Sequence, residues 1–124
     1  MSRIDAAALT RRRAADPRAI IRAWHDRRRS ERPADGRLMI VAADHPARGA
    51  LGVRDNATAM ASRADLLERL AVALTRPGVD GVLGTADILE DLLLSGLLDG
   101  KVVIGSMNRG GLQGAEFEFD DRWT

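Results

Sequence analysis

Asp44 and His45 stand side by side directly after the apolar run Leu38 to Ala43, and Pro46, Arg48 and Gly49 follow at once. An acid and an imidazole at the end of such a run can move protons or hold a substrate hydroxyl. An arginine beside them can fix a phosphate or a carboxylate. The plainer reading is a turn that needs polar caps, which a carboxylate supplies through its own hydrogen bonds. Pattern alone leaves both readings of Asp44 open. His45 has no second histidine at ligand spacing, so a hydrogen-bonded loop histidine is expected there rather than a metal ligand.

Two further clusters repeat this arrangement. Gly84-Thr85-Ala86-Asp87 follows "VDGVL", and Ser106-Met107-Asn108-Arg109-Gly110-Gly111 follows "KVVIG". Arg48, Arg54 and Arg109 could bind an anion, or they could pair with Asp55, Asp87 and Glu116, which is the commoner fate of an arginine. "GALG" and "RGGLQG" lack the GK[ST] of a P-loop and the spacing of a dinucleotide fingerprint. His25, at the end of an arginine-rich helix, is expected to be solvated.

These clusters need elements to position them. "DPRAIIRAWHDRRRS" predicts a helix with Asp16 as N-cap and Pro17 at its first position, Ile20, Ile21 and Trp24 on one face, and Arg27, Arg28 and Arg29 in its last turn. A helix is also expected from Ile4 to Ala14. Pro33, Asp35 and Gly36 then break the chain. Leu38 to Ala43 reads as a strand buried on both faces. "RADLLERLAVALT" carries the stripe Leu66, Leu67, Leu70, Ala71 and Leu74 behind Ser62 or Arg63. "VDGVLGT" is a second strand. Thr85 is placed to cap "ADILEDLLLSGLLDG", with Ile88, Leu89, Leu92 and Leu93 inward and Gly100 at its end. "KVVIGSM" is a third strand. Alternating strands and helices predict an α/β fold with a parallel sheet, in which ligands gather at the carboxyl ends of the strands. All three of those ends are polar and rich in glycine, whereas the turns leading into the strands are plain.

Composition limits the chemistry. The chain of 124 residues has no cysteine, which removes disulfides, thiolate metal sites and cysteine nucleophiles. No apolar run approaches the roughly 18 residues of a membrane span, and the N-terminus lacks the apolar core of a secretory signal. A soluble cytoplasmic protein without a membrane partner is expected. Residues 1–37 hold eleven arginines against five acids, while the remainder holds eight basic residues against thirteen acids. Because the arginine triplets lie among acids and the chain has two Trp and two Phe, they read as solvated helix faces rather than a nucleic-acid surface. Residues 1–37 therefore read as N-terminal arginine-rich helices and residues 38–124 as the strand-bearing unit.

"VAADHPARGALG" resembles the Asp-His motif that ends the first strand of DeoC/LacD/DhnA-type class I aldolases, which are (β/α)8 barrels. "GVDGVLGTADILEDLL" and "KVVIGSMNRGGLQGAEFEFDDRWT" are similar to one branch of that superfamily, deoxyribose-phosphate-aldolase-like proteins associated with inositol catabolism in actinobacteria. The resemblance covers residues 38–124, and Pro46 stands where the wider superfamily has glycine. It implies a lysine that forms a Schiff base with the substrate carbonyl, with nearby acids moving protons. Asp44 then serves proton transfer or hydrogen bonding near the imine, and His45 contacts a substrate hydroxyl. Arg48, Asn108, Arg109 and Asp87 become candidates for binding a sugar-phosphate-like substrate. No cofactor or metal is implied.

The same resemblance places the Schiff-base lysine on a sixth strand and the phosphate cradle on the seventh and eighth. Lys101 opens the third strand on the opposite rim. A (β/α)8 barrel takes about 250 residues. The expectation is therefore the first three β/α units of an incomplete TIM barrel, inactive alone, oligomeric or dependent on the missing half. Asp44, following an apolar strand, is expected at a water-accessible rim. Two other readings stand beside this one: a small α/β module that binds an anion, and a structural subunit that needs a partner chain.

Overall fold

The computed structural model describes residues 4–31 and 33–106. Its elements run α1 (Ala6–Ala15), α2 (Ala19–Asp26), β1 (Ile40–Ala42), a 3₁₀ turn (Pro46–Arg48), α3 (Arg63–Leu74), β2 (Gly81–Gly84), α4 (Ala86–Leu94) and β3 (Val102–Gly105). The three strands form one parallel sheet in the order β1-β2-β3. The α/β architecture, with N-terminal helices ahead of three parallel strands, is thus present as an open sheet.

Helix signals held best where the apolar stripe is longest. Ser62 caps α3 by accepting the Asp65 N–H, and Leu67, Leu70, Ala71 and Leu74 are buried along one side. In α4, Ile88, Leu89, Leu92 and Leu93 are buried as expected, and they share one core with Ile4, Leu9 and Ala19 of the N-terminal segment. Val41, Val82 and Val103 pair across the sheet and pack against this core. Gly81 has no room for a side chain: a Cβ there would lie 2.3 Å from the Val102 carbonyl oxygen and 2.9 Å from Ile40 Cδ1.

Several local expectations fail for physical reasons. Asp16 does not start α2; it closes α1, its N–H donating to the Arg12 carbonyl, and its carboxylate pairs with Arg22. A proline disfavours helical backbone at the preceding residue, so Asp16-Pro17 becomes the corner between two helices. α2 begins only at Ala19 and ends at Asp26, leaving Arg27, Arg28 and Arg29 beyond it. Ile21 points outward and is 60% exposed. β1 is three residues long and not buried on both faces: Ile40 and Val41 are half-buried, Ala42 is exposed, and Leu38 and Met39 precede the strand in the open. Among the described residues this edge strand is covered by helices on one side only, and no second layer of them buries it. α4 stops at Leu94, where the Ser95 hydroxyl donates to the Asp91 carbonyl, and Gly96 (φ 75°) turns the chain toward Gly100.

The arginine-rich N-terminus has a structural use. Arg12 donates to the Leu94 carbonyl, and Arg27 to those of Leu98 and Lys101. Cations there satisfy carbonyls at and just beyond the C-terminal end of α4. Arg27 also lies over the Trp24 ring, 5.2 Å from its centre. His25 is exposed.

Candidate active site

β1, β2 and β3 end together, and Asp44, Thr85 and Ser106 meet at that end. Beyond the last paired row, the Ala43 N–H donates to the Leu83 carbonyl and the Ser106 N–H to the Gly84 carbonyl, each at 2.8 Å. This ladder sets Asp44 and Ser106 on either side of β2. The chain after Asp44 winds into the Pro46–Arg48 turn, with Pro46 at its start and Gly49 (φ 76°) as its left-handed cap. That rewinding returns Arg48 to Asp44. Arg48 Nε donates to Asp44 Oδ2 at 2.9 Å, and the Ser106 hydroxyl donates to the same oxygen at 3.3 Å.

Asp44 is therefore not at a water-accessible rim. It is 8% exposed. Burial pushes its carboxyl up, but the hydrogen bond and charge of Arg48, a backbone hydrogen bond and the Ser106 hydroxyl outweigh this and leave it below the ordinary carboxylate value. A carboxylate so held is an anion and a hydrogen-bond acceptor at neutral pH. Arg48, expected to bind an anion or to pair with a more distant acid, is committed to the acid four residues before it.

The other candidates are distributed differently. His45 is exposed, and its backbone carbonyl accepts the Arg48 and Ala50 N–H groups. It borders an apolar groove of about 260 Å³ between β1 and α3, lined also by Val41, Met60, Leu66 and Ala73. Asp87 lies in the first turn of α4. Burial raises its carboxyl, but the Thr85 hydroxyl, donating at 2.6 Å, and the Arg63 guanidinium, 3.4 Å away, bring it below the ordinary value. Thr85 thus occupies the N-cap position of α4 without capping it. Asp87 and Arg63 help line a cavity of about 230 Å³ between the starts of α3 and α4. Arg54 is exposed in the loop after Gly49, at φ 51°. Asn108 and Arg109 lie outside the described residues.

Lys101 sits at the start of β3, and its ammonium donates to the Val79 carbonyl at 2.6 Å. Asp44 lies in the row of Ser106, five residues further along, so the rise of the strand alone separates the two by about 16 Å. Among the described residues no group of three or more His, Cys, Asp or Glu side chains is placed to hold a metal ion. No helix among them is long and apolar enough to cross a membrane.

Asp91 and Ser106 were not singled out from the sequence. Asp91 is 2% exposed and lies between Arg13 Nη1 at 3.0 Å and Arg63 Nη2 at 2.6 Å. Its sequence signal is its position three residues after Ile88, inside the apolar stripe of α4, where a charge requires a partner. Ser106 carried a weaker one: it is the first polar residue after β3, as Asp44 is soon after β1.

The sequence matches the Cgl0159-like family over residues 36–124. This chain belongs to that family. The solved crystal structure of Cgl0159 from Corynebacterium glutamicum superimposes with a TM-score of 0.85 at 55% identity, covering 97% of this chain and 44% of that one. The chain thus spans less than half the length of the Cgl0159 chain it matches. No curated protein matches it. The family match spans the Asp44–Arg48 turn, all three strands and the residues that follow each of them.

Proposed function

We propose that this Cgl0159-like chain is the N-terminal portion of a class I, Schiff-base aldolase-like lyase acting on a phosphorylated sugar or deoxy-keto acid in carbohydrate or inositol catabolism. The observation that carries this reading is the anionic Asp44, fixed by Arg48 and Ser106 at the carboxyl end of a parallel sheet. That is the end at which α/β folds bind and transform small molecules. The resemblance of "AADHPARG" to the Asp-His motif of DeoC/LacD/DhnA-type aldolases supplies the reaction class. In that reading the open sheet is the first part of a (β/α)8 barrel, and its second part brings the imine-forming lysine. Lys101, engaged with a carbonyl at the far end of β3, does not substitute for it. The chain by itself then cleaves nothing.

Borohydride trapping tests this directly. The chain is incubated with a ketose or aldose phosphate and reduced, alone and after mixing with the C-terminal remainder of the Corynebacterium Cgl0159 protein. The expected result is no substrate-dependent adduct on the chain alone and an adduct on the remainder in the mixture. An adduct mapped to Lys101 overturns the assignment. Substrate binding by a monomer with no adduct in either sample supports the anion-binding module instead.

A further inference from the structure

Continuing the register of Ala42, Leu83 and Ile104 by two residues brings Asp44, Thr85 and Ser106 into one row at the end of the sheet. Thr85, in the middle, turns its hydroxyl to Asp87. Asp44 and Ser106, 62 residues apart in sequence, meet over the end of β2. The backbone places each of them on β2 from opposite sides, so the position of Ser106 does not depend on its side chain. Its hydroxyl and the Arg48 Nε–H converge on a single oxygen, Asp44 Oδ2. Two donors arriving from different elements define the rotation of a carboxylate as well as its charge.

We propose that Ser106 is a positioning residue that, with Arg48, fixes the Asp44 carboxylate at the carboxyl end of the sheet as a hydrogen-bond acceptor for a hydroxyl of a polyhydroxylated substrate. The substrate part rests on the aldolase-like reading; the clamp itself is a property of this chain. Asp44 in this role carries no proton at neutral pH. It orients a hydroxyl and offsets positive charge that develops beside it. Among the described residues, the charged groups at this end of the sheet include Arg48 from the 3₁₀ turn, the Arg63–Asp87 pair from α3 and α4 and the Arg69–Asp65 pair of α3, with His45 exposed next in the chain.

The test is a carbon-detected NMR titration of the Asp44 side-chain carboxyl in this chain, compared among wild type, Ser106→Ala, Ser106→Thr and Arg48→Gln. Ser106→Ala is expected to raise the titration midpoint of Asp44, Ser106→Thr to leave it at the wild-type position, and Arg48→Gln to raise it further than Ser106→Ala does. A purely structural serine changes the unfolding transition and leaves the midpoint where it was. An unchanged midpoint in Ser106→Ala overturns the proposal, and so does a midpoint raised equally by the threonine variant. If Ser106→Ala does not fold, Ser106→Gly takes its place, and an unchanged midpoint there overturns the proposal in the same way. Loss of the aldolase reading is scored separately, by the trapping experiment.

Discussion

Asp44 combines two demands that a surface acid does not face. Its carboxylate is buried and its partner Arg48 is 37% exposed at the side chain, so the pair gains from a charge-assisted hydrogen bond while solvent still screens part of it. Asp44→Asn keeps the shape and one acceptor but removes the charge. The expected loss is about 1–2 kcal/mol in urea denaturation of this chain. In the assembly reconstituted with the Cgl0159 remainder, the same change is expected to lower turnover about 10²-fold, because an oriented negative charge no longer faces the reacting centre. A capping residue alone would give the stability loss with near-normal turnover. The pH dependence has a definite sign. The folded chain holds Asp44 and Asp87 below the ordinary 3.8. Their contribution is complete above the unfolded-state value and is lost as pH falls through the folded one. Acid unfolding of the Asp44→Asn variant should therefore be shallower than that of wild type below about pH 4.

The helices are joined by Asp91. Its two arginines come from α1 and α3, so one buried carboxylate on α4 ties three elements together. Arg13 also pairs with Glu90. The basic excess of the N-terminal segment is used here, against the acids of α4 and the carbonyls at and just beyond its end. Removing a buried partner leaves the opposite charges uncompensated, although Arg13 and Arg63 are exposed enough to recover some water. Asp91→Ala is expected to cost about 2 kcal/mol and to loosen α1 first, read as faster amide exchange from Ala6 to Ala15. Asp87→Ala, whose carboxylate is 57% exposed and meets the same Arg63, should cost about 0.5 kcal/mol. Equal losses from the two substitutions would show that burial is not what makes Asp91 matter.

At the scale of the molecule, the described residues cover the sheet on one side only. Val41, Val82 and Val103 face the helices, while Ile40, Ala42, Leu83, Val102 and Ile104 alternate onto the other side. Ile104 is 39% exposed there, and Leu38 and Met39 lead into β1 at 50% and 59%. β1 and β3 each pair with β2 alone in this sheet. Apolar faces with open strand edges associate. The chain alone is expected to sediment above its monomer mass at micromolar concentration and to bind a hydrophobic dye. Ile104→Lys should shift it toward the monomer without unfolding α3 and α4. A sharply melting wild-type monomer would mean that the chain covers this face by itself.

Local periodicity determined much of this protein. The stripes of α3 and α4, the three parallel strands and the polar carboxyl ends were legible because an apolar repeat and a strand followed by glycine report on neighbours a few residues away. The position of Asp44 and His45 just after β1 was legible for the same reason. Tertiary structure decided what each polar group does there. Arg48 closes onto Asp44 only because Pro46–Arg48 winds into a 3₁₀ turn, and Ser106 reaches that carboxylate only because β3 lies beside β2. Asp91 finds arginines 78 and 28 residues away in sequence, a pairing that no spacing in one helix can display. The corner at Asp16 and Pro17 and the open face of β1 follow the same logic: each depends on what packs alongside, and burial and ion pairing are properties of the assembled layers rather than of any single segment.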